Sequence, residues 1–265
     1  MANLFFPQLT SGAIAQYPIQ KSKLIRTVKN VLNDGNMILY ADPHGAKLVW
    51  ELRYTELSAA DTQTLKSHFD LCAGAFRAFT FIDPTENMLN NSADLAASAW
   101  QNTAGLKVAA GNSDPEGALN AFTMTNAGQS SEEISQSLGV PANYQFCFSV
   151  YVRSAQATTV TLIRRGAAES QSATYSAGPA WTRLVSTGRL NDPGTTFSVA
   201  IALDAGQQIQ VFGPQLEAQI EPSRYRTTNG PGGVYPSAHW AVDQLPIIAD
   251  APNSFSTVFS IEAVA

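Results

Sequence analysis

The residues able to do chemistry in this 265-residue chain are few and scattered. Three histidines, His44, His68 and His239, lie far apart, and none stands at metal-ligand spacing from another. Glycoside hydrolysis needs two carboxylates flanking one bond. Glu132, Glu133, Asp204, Glu217 and Glu221 are available, but no pattern separates them from solvated surface acids. Neither G-x-G-x-x-G nor G-x-x-x-x-G-K-[ST] occurs, so no phosphate-cradling loop is expected. No G-x-S-x-G nucleophile elbow is present either. The turn Asp114-Pro115-Glu116-Gly117 offers hard oxygen ligands for a structural Ca²⁺, with an ordinary turn as the plainer reading. No catalytic residue, metal-ligand set or other cofactor is assigned, and the chain is expected not to be an enzyme.

Recognition asks for less than catalysis. A pyranose rests its apolar face on an aromatic ring and exchanges hydrogen bonds with planar polar side chains. In FCFSVYVR, strand alternation puts Phe146, Phe148, Val150 and Val152 on one face, and Cys147, Ser149, Tyr151 and Arg153 on the other. Trp181 and Arg183 share a face on a later strand, as do Gln208 and Gln210 on the last of the series. Tyr151, Arg153, Trp181, Arg183 and Gln210 are therefore the candidate carbohydrate-binding set. The competing reading makes the aromatics packing residues and the arginines solvated charges.

Positioning such a face requires strands. In residues 1–87, MILYADPHGAKLVWELRY predicts a β-hairpin turning at Asp42-Pro43-His44-Gly45. A helix follows, capped by Ser58 with Asp61 as partner and with Leu65, Phe69 and Cys72 on its apolar face. Gly74 is placed to end it. AFRAFTFID predicts a strand stopped by Asp83-Pro84. Residues 88–228 hold short strands at regular spacing: FCFSVYVR, TTVTLIRRG, WTRLVSTGRL, FSVAIAL and QQIQVFGPQLE. Gly and Pro turns between them argue for an antiparallel sandwich. The tail, 229–265, opens with the breaker-rich NGPGGVYP and closes with STVFSIEAVA, a strand in need of a partner sheet.

Composition narrows the classes. Hydrophobic residues make up 45%, enough for a sizeable core, while charged residues make up only 14%, well below the roughly 25% of an ordinary domain. Such a surface suits burial against other subunits, or a sandwich with small polar outward residues. The net charge is -5 and the nearest thing to a basic run is Arg164-Arg165, so no nucleic-acid partner is expected. Cys72 and Cys147 both sit in apolar runs and read as buried free thiols. MANLFFPQLT lacks the basic start and long apolar stretch of a signal peptide, and no segment reaches the ~20 apolar residues of a membrane span. No membrane partner is expected. The expectation is a chain made in a cytoplasm that stays soluble unless built into something larger.

Two resemblances rest on these residues. Over about residues 98–228, Trp100, the DP-x-G turn at Asp114, Gln136, FSVYVR, Trp181-x-Arg183 and the closing GPQLE with Tyr225 and Thr227 resemble the carbohydrate-binding-module-like jelly roll of phage tail proteins. Over residues 1–87, the aromatic-rich strands, the LS-x-x-D helix start and the finish at Phe79, Phe81, Asp83, Pro84 and Asn87 are similar to phage distal tail and minor tail proteins. The resemblance implies a mainly β fold with one notable helix: a barrel-like tail-ring domain (1–87 plus 229–265) with an inserted antiparallel sandwich (88–228). It also implies a homo-oligomeric ring, sixfold favoured, between the tail tube and the tail-tip hub proteins of a virion assembled in the host cytoplasm. The sandwich would then be the part that meets a host surface polysaccharide. The alternatives are a receptor-binding or adhesin module and, below it, a carbohydrate-active enzyme.

Overall fold

The structure, a computed structural model, describes residues 4–264; the side chains of Pro43 and His44 lie outside the described set. The chain forms two compact units, one taking residues up to Phe81 and from Tyr235 onward, the other Ile82–Val234.

The first unit starts with β1 (Gln20–Val31), β2 (Met37–Leu57), α1 (Ala59–Cys72) and β3 (Phe79–Ile82). The β1–β2 hairpin turns at Asp34-Gly35, not at Asp42–Gly45. Asp34 accepts hydrogen bonds from the Asn36 backbone (3.0 Å) and side chain (2.7 Å), which closes the turn. The Pro-Gly segment lies inside β2, where the register jumps from Leu24↔Lys47 to Arg26↔Asp42. Pro and Gly are as much at home in a bulge as in a turn. Gly45 is needed there, because a Cβ would come within 2.9 Å of Arg26 Cβ.

Ser58 caps α1 as its spacing predicts: Ser58 Oγ accepts from Asp61 N (3.1 Å) and donates to its carboxylate (2.8 Å). Thr10 donates to the same carboxylate through its N–H (2.7 Å) and Oγ1 (3.0 Å), tying down the N-terminal segment. The buried stripe of α1 includes Leu65, His68 and Cys72; Phe69 is half-buried, with its ring 5.1 Å from Trp240. The helix ends at Ala73 in the left-handed region. A turn follows, so the strand expected from Ala75 begins only at Phe79 and Phe76 is left 79% exposed.

The second unit holds β4 (Gln101–Asn102), β5 (Leu106–Asn112), β6 (Ala121–Asn126), β7 (Glu132–Leu138), β8 (Phe146–Arg153), β9 (Thr158–Arg165), β10 (Ser170–Ala177), β11 (Thr182–Gly188), β12 (Phe197–Leu203) and β13 (Gln208–Glu217). They form two five-stranded antiparallel sheets, ordered β10-β9-β12-β7-β4 and β11-β8-β13-β6-β5. Phe146 of one sheet meets Phe197 of the other at 4.4 Å between ring centres. Phe148, Val150, Val152, Leu162, Val199 and Ile201 fill the sandwich around them. The Arg164-Arg165 doublet is no basic patch. Arg164 is buried on the core side, donating to Ser186 Oγ (3.0 Å) and Gln171 Oε1 (2.8 Å), and Arg165 pairs with Glu133 at 2.9 Å. Entry to and exit from this unit are zipped together. Asp83 N donates to Gly233 O and Gly233 N to Asn87 O, each at 2.8 Å, and Asn91 N donates to Gly230 O at 2.8 Å.

The chain then returns with β14 (Val234–Trp240), β15 (Ile248–Ala251) and β16 (Ser254–Val264). The first sheet runs β1-β2-β16-β14-β3, with β15 pairing the start of β16. The terminal strand lies against β2 from Phe255↔Leu57 to Val264↔Lys47, and its alternation buries Phe259, Ile261 and Ala263. β14 carries Pro236 and two exposed positions, which hid it from a periodicity reading. Phe6, Trp50, Phe79, Phe81, Trp240 and Phe259 build the aromatic core, with Trp240 and Phe259 4.4 Å apart and Trp50 and Phe81 5.0 Å apart. Among the described residues no helix is long and apolar enough to cross a membrane.

His68 lies edge-on to Phe6 (5.4 Å) and Phe79 (4.8 Å). Burial there pushes its imidazole down from 6.5 to about 4. The folded state therefore holds His68 neutral where the unfolded chain protonates it. Stability is lost as pH falls from 6.5 towards 4, by up to roughly 3 kcal/mol. Chemical denaturation of wild type and His68→Phe across that window checks this: the variant should lose much of the slope.

Candidate functional site

The face of β8 turned away from the sandwich core builds the site. Register places Arg153 beside Gln210 of β13, and Tyr151 between Phe212 of β13 and Arg183 of β11. Trp181, one residue before β11, stands alongside Arg153. All five carbohydrate candidates are thus brought together on one face of one sheet. They form two stacks, with the Arg153 guanidinium over the Trp181 ring (4.8 Å) and that of Arg183 over Tyr151 (5.2 Å). Both arginines are turned towards protein. Arg153 Nε donates to Gln210 Oε1 (2.6 Å) and Nη2 to Ser113 O (3.3 Å). Arg183 Nη1 donates to Ser223 O (2.6 Å) and Nη2 to Ser149 Oγ (2.9 Å). Gln210 in turn donates to Asn112 Oδ1 (3.0 Å). One ring face of Trp181 and one of Tyr151 are therefore already covered.

β13 bends beside this face. Its register slips between Phe212↔Tyr151 and Gln215↔Ser149, a bulge at Gly213-Pro214. Gly213 sits at φ +59°, and a Cβ there would lie 3.0 Å from the Tyr225 ring. The ring packs on the bare backbone and meets Phe212 edge-on at 5.1 Å, and its hydroxyl lies 3.0 Å from Ser92 Oγ. Past the bulge, Gln215 and Glu217 project on the same side as Tyr151, yet both are buried under the returning segment 218–228. Gln215 Oε1 accepts from Arg226 N (2.7 Å). The Glu217 carboxylate accepts from Ser223 N (3.0 Å), Ser223 Oγ (2.5 Å), Gln215 Nε2 (2.7 Å) and Gln219 Nε2 (3.0 Å). The GPQLE motif is thus a clasp for the return.

These elements enclose a cleft of about 600 Å³, walled by Tyr151, Phe212 and Tyr225 and edged by Asp114, Glu116, Asn120, Arg224, Thr227 and Asn229. Of the sequence candidates, Tyr151 alone lines it; Arg153, Trp181, Arg183 and Gln210 stand beside it. Phe212 was legible, since it continues the Gln208/Gln210 face by two residues. Tyr225, Arg224 and Asn120 were not, because loops bring them there.

The Asp114 turn forms one rim. Asp114 Oδ1 accepts from Glu116 N (2.8 Å) and Ala118 N (3.0 Å), and Oδ2 from Asn120 Nδ2 (2.9 Å). Burial pushes its carboxyl up, but the bonds from Asn120 and from the backbone of Glu116, Ala118 and Gly117 outweigh this and hold it below the usual range. The carboxylate caps its own turn, which is ordinary turn chemistry and gives the Ca²⁺ option no support. Among the described residues no three His, Cys, Asp or Glu side chains converge as a metal site. His239 Nδ1 lies 3.0 Å from Ala75 O, far in role from any ligand set. Cys72 and Cys147 are free and buried, and burial, with Glu217 adding to it, pushes the Cys147 thiol up to about 12. Neither thiol is poised as a nucleophile.

Glu217→Ala leaves four donors facing an empty position, so it should cost the second unit about 3 kcal/mol. Thermal melts check the loss, and amide exchange over 218–228 should accelerate well before the rest of the sandwich.

No protein-family model matches the chain, and no curated protein matches it. Among solved structures it is similar to the enzymatically active domain of bacteriophage CBA120 tailspike protein 4, at 11% identity and TM-score 0.41, over 52% of this chain and 22% of that one. It is similar to the C-terminal family 22 carbohydrate binding module of Clostridium thermocellum Xyn10B, at 16% identity and TM-score 0.42, over 54% and 99% of the two chains. It is also similar to the family 11 carbohydrate-binding module from Clostridium thermocellum, solved with a β-1,3-1,4-mixed-linked tetrasaccharide, at 15% identity and TM-score 0.38, over 52% and 98%.

Proposed function

We propose that the second unit is a glycan-binding module and that the cleft beside β8 and β13 is its site. The observation that carries this is the pairing of Tyr151, Phe212 and Tyr225 as walls with Asn120, Arg224 and Asn229 at the mouth. Aromatic rings accept the apolar face of a pyranose, and the rim supplies amide and guanidinium donors and acceptors for hydroxyls. The Arg183 stack holds Tyr151 in one orientation, so little ordering of that ring remains to be done on binding.

Binding without cleavage is part of this reading. Asp114, one of the two carboxylates at the cleft, is held ionised by its turn, the opposite of what a general acid requires. The other, Glu116, is solvated and lies 3.8 Å from Arg224.

A second reading concerns the whole chain: a component of a phage tail tip, forming a homo-oligomeric ring, sixfold favoured, against the tail tube and hub, with the glycan module as its host-facing part. The apolar, solvent-exposed β1–β2 hairpin of the first unit favours it. Cryo-electron microscopy of virions carrying this chain should find it as a ring at the distal end of the tail tube, and its absence from virions would end this reading.

Titration calorimetry against a panel of neutral and acidic bacterial polysaccharides tests the cleft. Phe212→Ala and Tyr151→Ala should each weaken binding about tenfold or more. Lys107→Ala, on β5 outside the cleft, should leave it unchanged, and no reducing ends should be released. A wild-type chain that binds nothing in the panel, or variants that bind as wild type, would defeat the proposal.

A further inference from the structure

We infer that the polar row beside the cleft is a second subsite, which takes the carboxylate of an acidic sugar one step along the chain from the sugar held in the cleft. The inference rests on the glycan-binding reading and adds a chemical class to it.

The row continues the cleft along two strands. Arg153 follows Tyr151 by two residues on β8, and Gln210 precedes Phe212 by two on the antiparallel β13, so both steps run the same way. At ~3.3 Å per residue each step is about 7 Å and stays on the same face. Register sets Arg153 beside Gln210, and Gln210 beside Thr123 of β6. All three are half-buried, so solvent reaches them. One chain of hydrogen bonds fixes their planes: Arg153 Nε donates to Gln210 Oε1 (2.6 Å), Gln210 Nε2 to Asn112 Oδ1 (3.0 Å) and Asn112 Nδ2 to Thr123 Oγ1 (2.9 Å). The Trp181 ring covers one face of the guanidinium.

The two arginines of the site differ in what they leave open. Arg183 donates through both Nη atoms to protein, and its Nε is enclosed. Arg153 uses Nε and one hydrogen of Nη2, while Nη1 has no acceptor among the described residues and is not enclosed. The Nη1–Nη2 edge is therefore open. Such an edge grips a carboxylate through two parallel hydrogen bonds.

The charge of Arg153 is also uncompensated. Its acceptors, Gln210 Oε1 and Ser113 O, are neutral. The nearby acids are committed elsewhere: Asp114 to the backbone of its own turn and to Asn120, Glu116 to Arg224. A half-buried cation held in plane, open along one edge and without a counter-charge is complementary to a ligand carboxylate.

Titration calorimetry tests this with alginate, polygalacturonate and hyaluronan, each before and after carboxyl reduction, alongside the neutral polysaccharides. Reduction turns every uronic acid into its neutral sugar and leaves the backbone linkage as it was. Wild type should bind an acidic form about tenfold or more tighter than its reduced form. Arg153→Gln should lose most of that ratio, and Arg153→Lys, which keeps the charge without the planar edge, should lose part of it. Circular dichroism and thermal melts confirm that both variants are folded. Equal binding of acidic and reduced forms, binding of neutral polysaccharides alone, or a ratio that survives Arg153→Gln overturns the subsite and leaves the cleft reading intact. A wild-type chain that binds no polysaccharide ends both.

Discussion

A carboxylate buried on the outer side of a sandwich sheet has to be satisfied where it stands, and the site depends on how Glu217 meets that demand. The side chain sits past the β13 bulge, out of reach of solvent, and takes its hydrogen bonds from Ser223, Gln215 and Gln219. Gln215 comes from β13 itself, but Ser223 and Gln219 arrive only if segment 218–228 folds back over the strand. Once it does, Tyr225 is delivered onto Gly213, Arg226 onto Gln215, and a flat sheet face becomes a walled cleft. The hollow is a by-product of polar satisfaction.

The arginines on the same face play the complementary part. Burying an aromatic ring against a guanidinium and then fixing that guanidinium with two hydrogen bonds removes rotamer freedom from both partners. Arg153 and Arg183 do this for Trp181 and Tyr151. Of the five residues marked for sugar contact, Tyr151 lines the cleft, Arg183 stacks on Tyr151, and Arg153, Trp181 and Gln210 form the stack beside it. Their types and their shared face were read correctly, while their orientation was not accessible, because it depends on Ser113, Ser223 and Gln210 reaching them from other strands and loops.

The same division runs through the fold. β8, β12 and β16 were legible because a buried face imposes a period of two on side-chain type. The Ser58 cap was legible because its partner lies three residues on. The β1–β2 turn was misplaced because two segments, Asp34-Gly35 and Asp42–Gly45, both carry turn chemistry, and only long-range pairing chooses between them. β14 escaped notice because Pro236 and Ser237 are exposed and break its alternation, while its pairing with β16 involves only His239 and Trp240 further along. That His68 belongs to the core was not legible, because the aromatic rings that bury it, Phe6 and Phe79, come from segments distant in sequence.

The zipped neck of the second unit has an evolutionary consequence. Residues 83–91 and 230–233 leave and re-enter the sandwich side by side, joined by main-chain hydrogen bonds, with Gly232 packed on Met88 O and donating to Asn90 Oδ1. A domain whose two ends meet at such a spacing is a cassette. Recombination at the neck can replace the whole sandwich with another whose ends lie equally close, and the pairing of β16 with β2 keeps its register, because that register is set within the other sheet. Selection on what the cleft recognises and selection on how the first unit packs can therefore proceed at different rates within one polypeptide.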